Sequence, residues 1–308
     1  MTDKRFDWWR AMAQVLGSIE AVRDGRAMYV LLAAFAGAGT AMAMARSSLA
    51  QGQLPWAVGQ GALALFIAFY GSQAAGLLLM DRALGRAPRE VADAVADALG
   101  VGHRVLVSLA CVLALMATTA GVIVGLFWLC SLSVIGPWLY ALVLPLTVMT
   151  MGAMLVAGAA IVGPLTGPIV WSGASSVQTL RQLGQLFRQQ VLRAVALMGG
   201  LSLVIGVVGA GVSLIVLLAG RVMAELSVWM LGVNVPAEIL MAGLLGHAVH
   251  AVDTRVVSPE ALPYIAAANV GGGVVFAIAL VLPTLVYLRG VSEIYLALQP
   301  ANSETGAP

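Results

Sequence analysis

The sequence predicts an all-α fold: a polytopic membrane helix bundle of six transmembrane helices, with amphipathic helices lying in the cytoplasmic interface. Three observations predict it. Of the 308 residues, 61% are hydrophobic and 10% charged, with a mean hydropathy of +0.97, whereas a soluble domain carries about one charged residue in four to wet its surface. Six stretches are long enough to cross a hydrocarbon core of about 30 Å, which takes roughly 20 apolar residues in a helix that satisfies its own backbone. Lys and Arg then divide 13 against 3 between the two sides, an excess that marks the cytoplasmic face and requires an even number of crossings.

Taken in order, Phe6 to Val22 sets Trp9, Met12, Leu16 and Ile19 at helical spacing, with Asp7, Arg10, Gln14 and Glu20 mainly elsewhere. It is expected to lie along the interface, residues 6–22. Spans follow at Ala27 to Ala45 and Trp56 to Met80. Pro88 to Leu99 opens with a proline suited to a helix start and carries Val91, Val95 and Leu99 on one side against Arg89, Glu90, Asp93 and Asp97. Val105 to Cys130 and Gly136 to Gly163 are the next two spans. Ser175 to Val191 repeats the amphipathic arrangement, with Val177, Leu180, Leu183, Phe187 and Val191 apolar and Gln178, Arg181, Gln185 and Arg188 polar. Val191 to Gly220 and Ile265 to Leu288 complete the six. Trp56, Trp128, Trp138, Tyr140 and Tyr287 fall near span ends, where amphipathic rings favour the headgroup level.

These elements form one membrane domain over residues 1–299, with 300–308 expected to be a disordered tail. The chain parses as three units of interfacial helix, span out and span back, with Leu16-Gly17, Leu99-Gly100 and Leu183-Gly184 in comparable places. No cleaved signal is expected, because charges interrupt the apolar residues of the first 25 positions. The arginine count predicts a cytoplasmic N-terminus and C-terminus, and the membrane expected is a bacterial inner membrane.

The run from Ala75 through Asp81, Arg82, Gly85 and Arg86 to Pro88, followed by Val91-Ala92-Asp93-Ala94-Val95, resembles a bacterial six-span family related to the membrane domain fused to some glycerophosphodiester phosphodiesterases. The later run Gly167-Pro168-Ile169-Val170, with Val177 to Leu183 and Arg188, is similar to the second half of that family. The resemblance implies the fold alone. No catalytic residue comes with it, since the acidic, metal-binding phosphodiesterase domain of the fusions has no counterpart in this sequence.

Candidate chemistry is sparse. The outer connection over 221–264 holds His247 and His250 three apart, so two imidazoles share a helix face and could bind one metal ion. Asp253 is the candidate third ligand, although it lies about 240° round a helix from His247 and could join only if that helix ended near Val252. Glu238 or Glu260 are the alternatives. In the same connection Val222 to Leu231 and Ala237 to Val249 are apolar but too short to span, which suggests a half-inserted hairpin or a cap over the bundle ends.

Within the spans the polar residues are Gln73, Ser108, Thr118, Thr119, Thr147, Thr150, Ser202, Ser213 and Asn269, most of them able to bond their own backbone. None is ionisable, which argues against a proton path. Cys111 and Cys130 lie about 28 Å apart on one helix and cannot bond. Gly121 with Gly125, Gly206 with Gly209 and Gly211, and Gly271 to Gly273 predict close helix packing.

No nucleophile and base set, paired carboxylates or Cys and His framework is recognisable, so no enzyme and no cofactor are expected. The function expected is that of a structural or accessory subunit of a membrane complex, binding lipid and other membrane-protein subunits or a second copy of itself. The alternative is the permease half of an ATP-driven exporter of an apolar or lipid-like cargo, coupled to a separate ATPase. Nucleic acid is not an expected partner, because no basic stripe is present.

Overall fold

A computed structural model describes residues 7–132, 135–231 and 262–299. Helix α1 (Trp8–Gly17) continues as a 3₁₀ turn (Ser18–Arg23) and leads into α2 (Gly25–Ala50), α3 (Leu54–Ala83), α4 (Val91–Leu129) and α5 (Gly136–Ala157). A π segment (Gly158–Val162) joins α5 to α6 (Gly163–Trp171), and α7 (Ser176–Leu231), α8 (Leu262–Ala279) and α9 (Val281–Leu298) follow. No strand occurs among the described residues. Six helical stretches are long and apolar enough to cross a membrane: Gly25–Ala50, Leu54–Ala83, Val91–Leu129, Gly136–Trp171, Ser176–Met230 and Val270–Leu298. The chain is thus an all-α bundle with the pattern of a multi-pass membrane protein.

Local chemistry sets the helix ends. Asp7 caps α1 through Arg10 N–H, and Asp24 caps α2 by accepting from the N–H groups of Arg26 and Ala27, satisfying donors that a helix start leaves open. At the end of α3, Gly85 takes φ +69°, and Arg86 N–H returns to the Asp81 carbonyl at 2.8 Å. A glycine in the left-handed region reverses the chain at little steric cost. Gly85→Ala is expected to cost about 1 kcal/mol, read as a lower thermal midpoint of the detergent-solubilised protein. Gly173, at φ +106°, is expected to tolerate alanine less well still.

Prolines account for two interruptions. The Pro164 ring crowds the carbonyl of Ala160 four residues back, and the π segment over Gly158–Val162 absorbs it. Pro283 stands in the same relation to Ala279, where α8 ends and α9 starts after Leu280. The kink in α7 has another origin: Gln190 leaves helical geometry (φ −136°, ψ 17°). It divides an amphipathic segment from an apolar span close to the boundary expected at Val191.

The second amphipathic segment is not a separate helix, whereas the third is set off from its span by the Gln190 kink. Residues from Val91 run on into the span as the first turns of α4, and Pro88 lies before that helix instead of opening it. Their buried faces also differ from expectation. In α4 the residues that pack inward are Ala94 and Ala98, while Val95 and Leu99 are 46% and 51% exposed. In α1 they are Ala11 and Val15, while Trp9 is 88% exposed. In α7 Thr179 and Leu183 are buried and Val177 is not. Small side chains let helices approach closely, and large apolar ones can face lipid without penalty.

Two further boundaries shift. Val222 to Leu231 continues α7, braced by an Arg221–Glu225 pair at 3.1 Å, and so does not form a hairpin arm. Ala237 to Val249, the other arm, and the tail 300–308 lie outside the described residues. The sixth crossing continues past Leu288 to Leu298, burying Val291, Ile294, Tyr295 and Leu298.

Contacts place one end of every crossing together. Arg82 at the end of α3 pairs with Asp24 at the start of α2, and Arg26 donates to the carbonyls of Pro88 and Arg89 ahead of α4. Tyr295 of α9 donates to Gln182 of α7. Most arginines collect here, and this end is called the basic end. The main core lies in this half, around Leu31, Leu78, Ile161, Leu197, Leu285 and Ile294. Trp56, Trp128 and Trp138, at helix ends remote from it, are exposed.

Farther from the basic end the helices behave unequally. Gly39 of α2 and Gly273 of α8 meet so closely that a Cβ on Gly39 would lie 2.9 Å from the Gly273 carbonyl oxygen. The expected close packing therefore holds for Gly273. No such close approach occurs among the described residues at Gly121, Gly125, Gly206 or Gly211, where an added Cβ would meet nothing within 4 Å. Within the most apolar stretch of each crossing, 39%, 50% and 33% of the first, second and sixth is buried, against 6%, 11% and 11% of the third, fourth and fifth. Spans three to five splay apart.

Candidate functional site: the basic end and the groove beside it

At the basic end, four carboxylates engage three guanidinium groups. Asp81, at the last turn of α3, receives Arg89 through Nε and Nη2 at 2.7 and 2.9 Å, and Arg89 Nη1 also donates to Asp97 of α4 at 2.7 Å. Arg89 thus clamps α3 to α4 across an extended connection. Its pKa is raised above the ordinary arginine value, chiefly by the Asp81 hydrogen bond, with burial opposing and the charges of Asp81 and Asp97 adding to the rise. Arg289 reaches the Leu79 carbonyl at 3.2 Å and pairs with Glu293 at 2.6 Å.

Asp24, Asp81, Asp97 and Glu293 therefore hold Arg82, Arg89 and Arg289. Among the described residues no carboxylate pairs with Arg104, Arg181 or Arg188, which are exposed. The clamp could not be read from the sequence, in which Arg89 and Asp97 stand on the polar side of a separate helix and Asp81 stands at a span end. The one signal available was a carboxylate at the membrane boundary within a few residues of an arginine.

Neutral polar groups hold the neighbouring helices. Trp171 Nε1 donates to Gln73 Oε1 at 2.8 Å, and both are buried. Ser172 Oγ lies 3.2 Å from Tyr295 Oη, which donates to Gln182 Oε1 at 3.3 Å. Beside them a cavity of about 300 Å³ is lined by Gln182, Gln185, Gln189, Gln190, Tyr295 and Gln299, among others.

A larger groove of about 570 Å³ runs between α4, α5 with its π segment, and the first turns of α7. Val112, Leu115, Met116, Met154, Leu183 and Phe187 supply much of its wall. Thr119 and Thr150 also line it, but their hydroxyls donate to the carbonyls of Leu115 and Leu146. They therefore direct no free donor inward. A third cavity, about 410 Å³, lies between α2, α3 and α8 near Gly39 and Arg46.

His247, His250 and Asp253, with Glu238 and Glu260, lie outside the described residues. Among the described residues no cluster of three or more His, Cys, Asp or Glu could hold a metal ion. Of the polar residues expected in the spans, Ser108, Thr118, Thr119, Thr147 and Thr150 bond carbonyls of their own helices, as anticipated, and Gln73 is bound by Trp171. Cys111 is exposed in the groove, and Cys111 and Cys130 are both free thiols. No protein-family model, curated protein or solved structure matches the chain.

Proposed function

We propose that this chain is a non-enzymatic subunit of a complex in the bacterial inner membrane, binding protein partners or lipid, with its basic end in the cytoplasm. The observation that carries this reading is the sparse cover of spans three to five, with 6%, 11% and 11% of their apolar stretches buried. Helices in lipid gain stability by packing on one another through small residues, and a Cβ at Gly121 or Gly125 would meet nothing within 4 Å among the described residues. A second protein, or a second copy, supplies what these helices lack. Membership of the six-span family related to the membrane domain of some glycerophosphodiester phosphodiesterases belongs to the same proposal and rests on the Ala75 to Val95 run. The cytoplasmic placement rests on the excess of arginine at one end.

The laterally open groove favours a second reading, the permease half of an exporter of apolar or lipid-like cargo. One experiment separates them. After extraction in mild detergent from native membranes, the tagged chain is expected to elute with a defined membrane-protein partner, or as a dimer, at constant stoichiometry by mass spectrometry. A stoichiometric ATPase would favour the exporter. Elution as a monomer without any partner would count against the leading reading.

A further inference from the structure

The groove between α4, α5 and α7 combines an apolar interior with uncommitted cations at one mouth. Its volume, about 570 Å³, falls within the range of about 300–1,000 Å³ usual for ligand sites. Its two threonines are satisfied by their own helices, so the occupant of the interior must be apolar.

The mouth is different. Arg104 precedes Cys111 by seven residues, two helical turns, and so lies on the groove side of α4 about 10 Å nearer the basic end. On α7, Arg181 and Arg188 stand three before and four after Gly184, within about 60° of it round the helix, and so flank the edge of the face that Leu180, Leu183 and Phe187 turn to the groove. The nearest acidic residue on that side of α4, Asp97, is engaged by Arg89. Three exposed guanidinium groups without a carboxylate partner among the described residues thus flank the rim of an apolar slot near the basic end.

We infer that this groove binds an anionic glycerophospholipid, one acyl chain lying between α4, α5 and α7 and the phosphate held by Arg181 and Arg188 with Arg104. Guanidinium groups match phosphate oxygens in paired hydrogen bonds, and the apolar walls accept a chain that water would reject. This inference rests on the reading of a lipid-binding membrane subunit and names the lipid class.

The test uses the full chain in a neutral maltoside detergent. Thermal midpoints are measured while phosphatidylglycerol, phosphatidylcholine or soluble glycerol phosphate is added. Phosphatidylglycerol is expected to raise the midpoint by about 5 °C at saturation, phosphatidylcholine by much less, and glycerol phosphate not at all. Arg181→Gln with Arg188→Gln should abolish the preference for the anionic lipid. Gly184→Leu should remove the response to both lipids, since a Cβ there meets nothing within 4 Å and the added chain enters the groove without disturbing the backbone. Equal shifts with the two phospholipids, a shift with glycerol phosphate as large as with lipid, or variants that respond like the parent would each overturn the inference. Because these measurements use the isolated chain, a complex that co-purifies intact while lipid selectivity is absent defeats this inference alone.

Discussion

Replacing Arg89 by methionine is expected to destabilise the solubilised protein by about 2–3 kcal/mol, whereas Arg181→Gln should stay within about 0.5 kcal/mol of the parent. The difference follows from what each arginine touches. Arg89 makes two hydrogen bonds to Asp81, whose side chain is 7% exposed, and a third to Asp97. Methionine fills much of the same volume but leaves a carboxylate at the end of α3 with no cation, and an unpaired buried charge costs more than the pair ever contributed. The expected size sits below the usual range for a fully buried pair because Arg89 keeps 27% of its side chain in solvent. Adding Asp81→Asn to Arg89→Met should recover at least half of the loss, since the stranded charge is then gone. Thermal or denaturant unfolding in one detergent measures all four proteins. Should Arg89→Met prove as mild as Arg181→Gln, the clamp does not hold the basic end together.

Lipid explains both what could be read from the sequence and what could not. A crossing needs a long apolar run, so all six helices were visible before any contact was known, and the break before Val191 coincides with the Gln190 kink. The same solvent hides which side of a helix faces protein. In water Val95 and Leu99 would turn inward and mark the core; in lipid they face outward at no cost while Ala94 and Ala98 make the close contact. Glycine spacing misled for a related reason. Gly121 and Gly125 have the same small-residue step as Gly39 and Ala43, yet among the described residues it is the latter pair that meets a neighbouring helix. The groove was equally illegible, because it is made by the splay of three helices whose separation no local pattern encodes. The arginines at its mouth were visible, but as markers of orientation.

Gly76→Ala is the other substitution with a large expected effect, about 2–3 kcal/mol for a single added methyl group. A Cβ at Gly76 would fall 2.3, 2.5 and 2.7 Å from Cζ2, Cη2 and Cε2 of Trp171. The indole is held where it is on two sides. The ring packs over Gly167, one turn back on its own helix, so closely that a Cβ there would fall 2.8 Å from it, and Nε1 is tied to Gln73 at 2.8 Å. Moving the ring would break that bond and leave Gln73, itself buried, with an unmet acceptor, at a cost of about 1–3 kcal/mol. Trp171→Phe makes the test decisive, because phenylalanine lacks the benzo edge that Gly76 faces. On its own it is expected to destabilise by releasing Gln73. In that background Gly76→Ala should cost less than about 1 kcal/mol, a coupling that unfolding midpoints of the four proteins in a double-mutant cycle would expose. If Gly76→Ala costs the same with either aromatic residue, the contact of α3 with the Trp171 ring is not what excludes a side chain there. Any loss would then have to arise within α3 itself, where alanine is the better helix former and should have stabilised the helix.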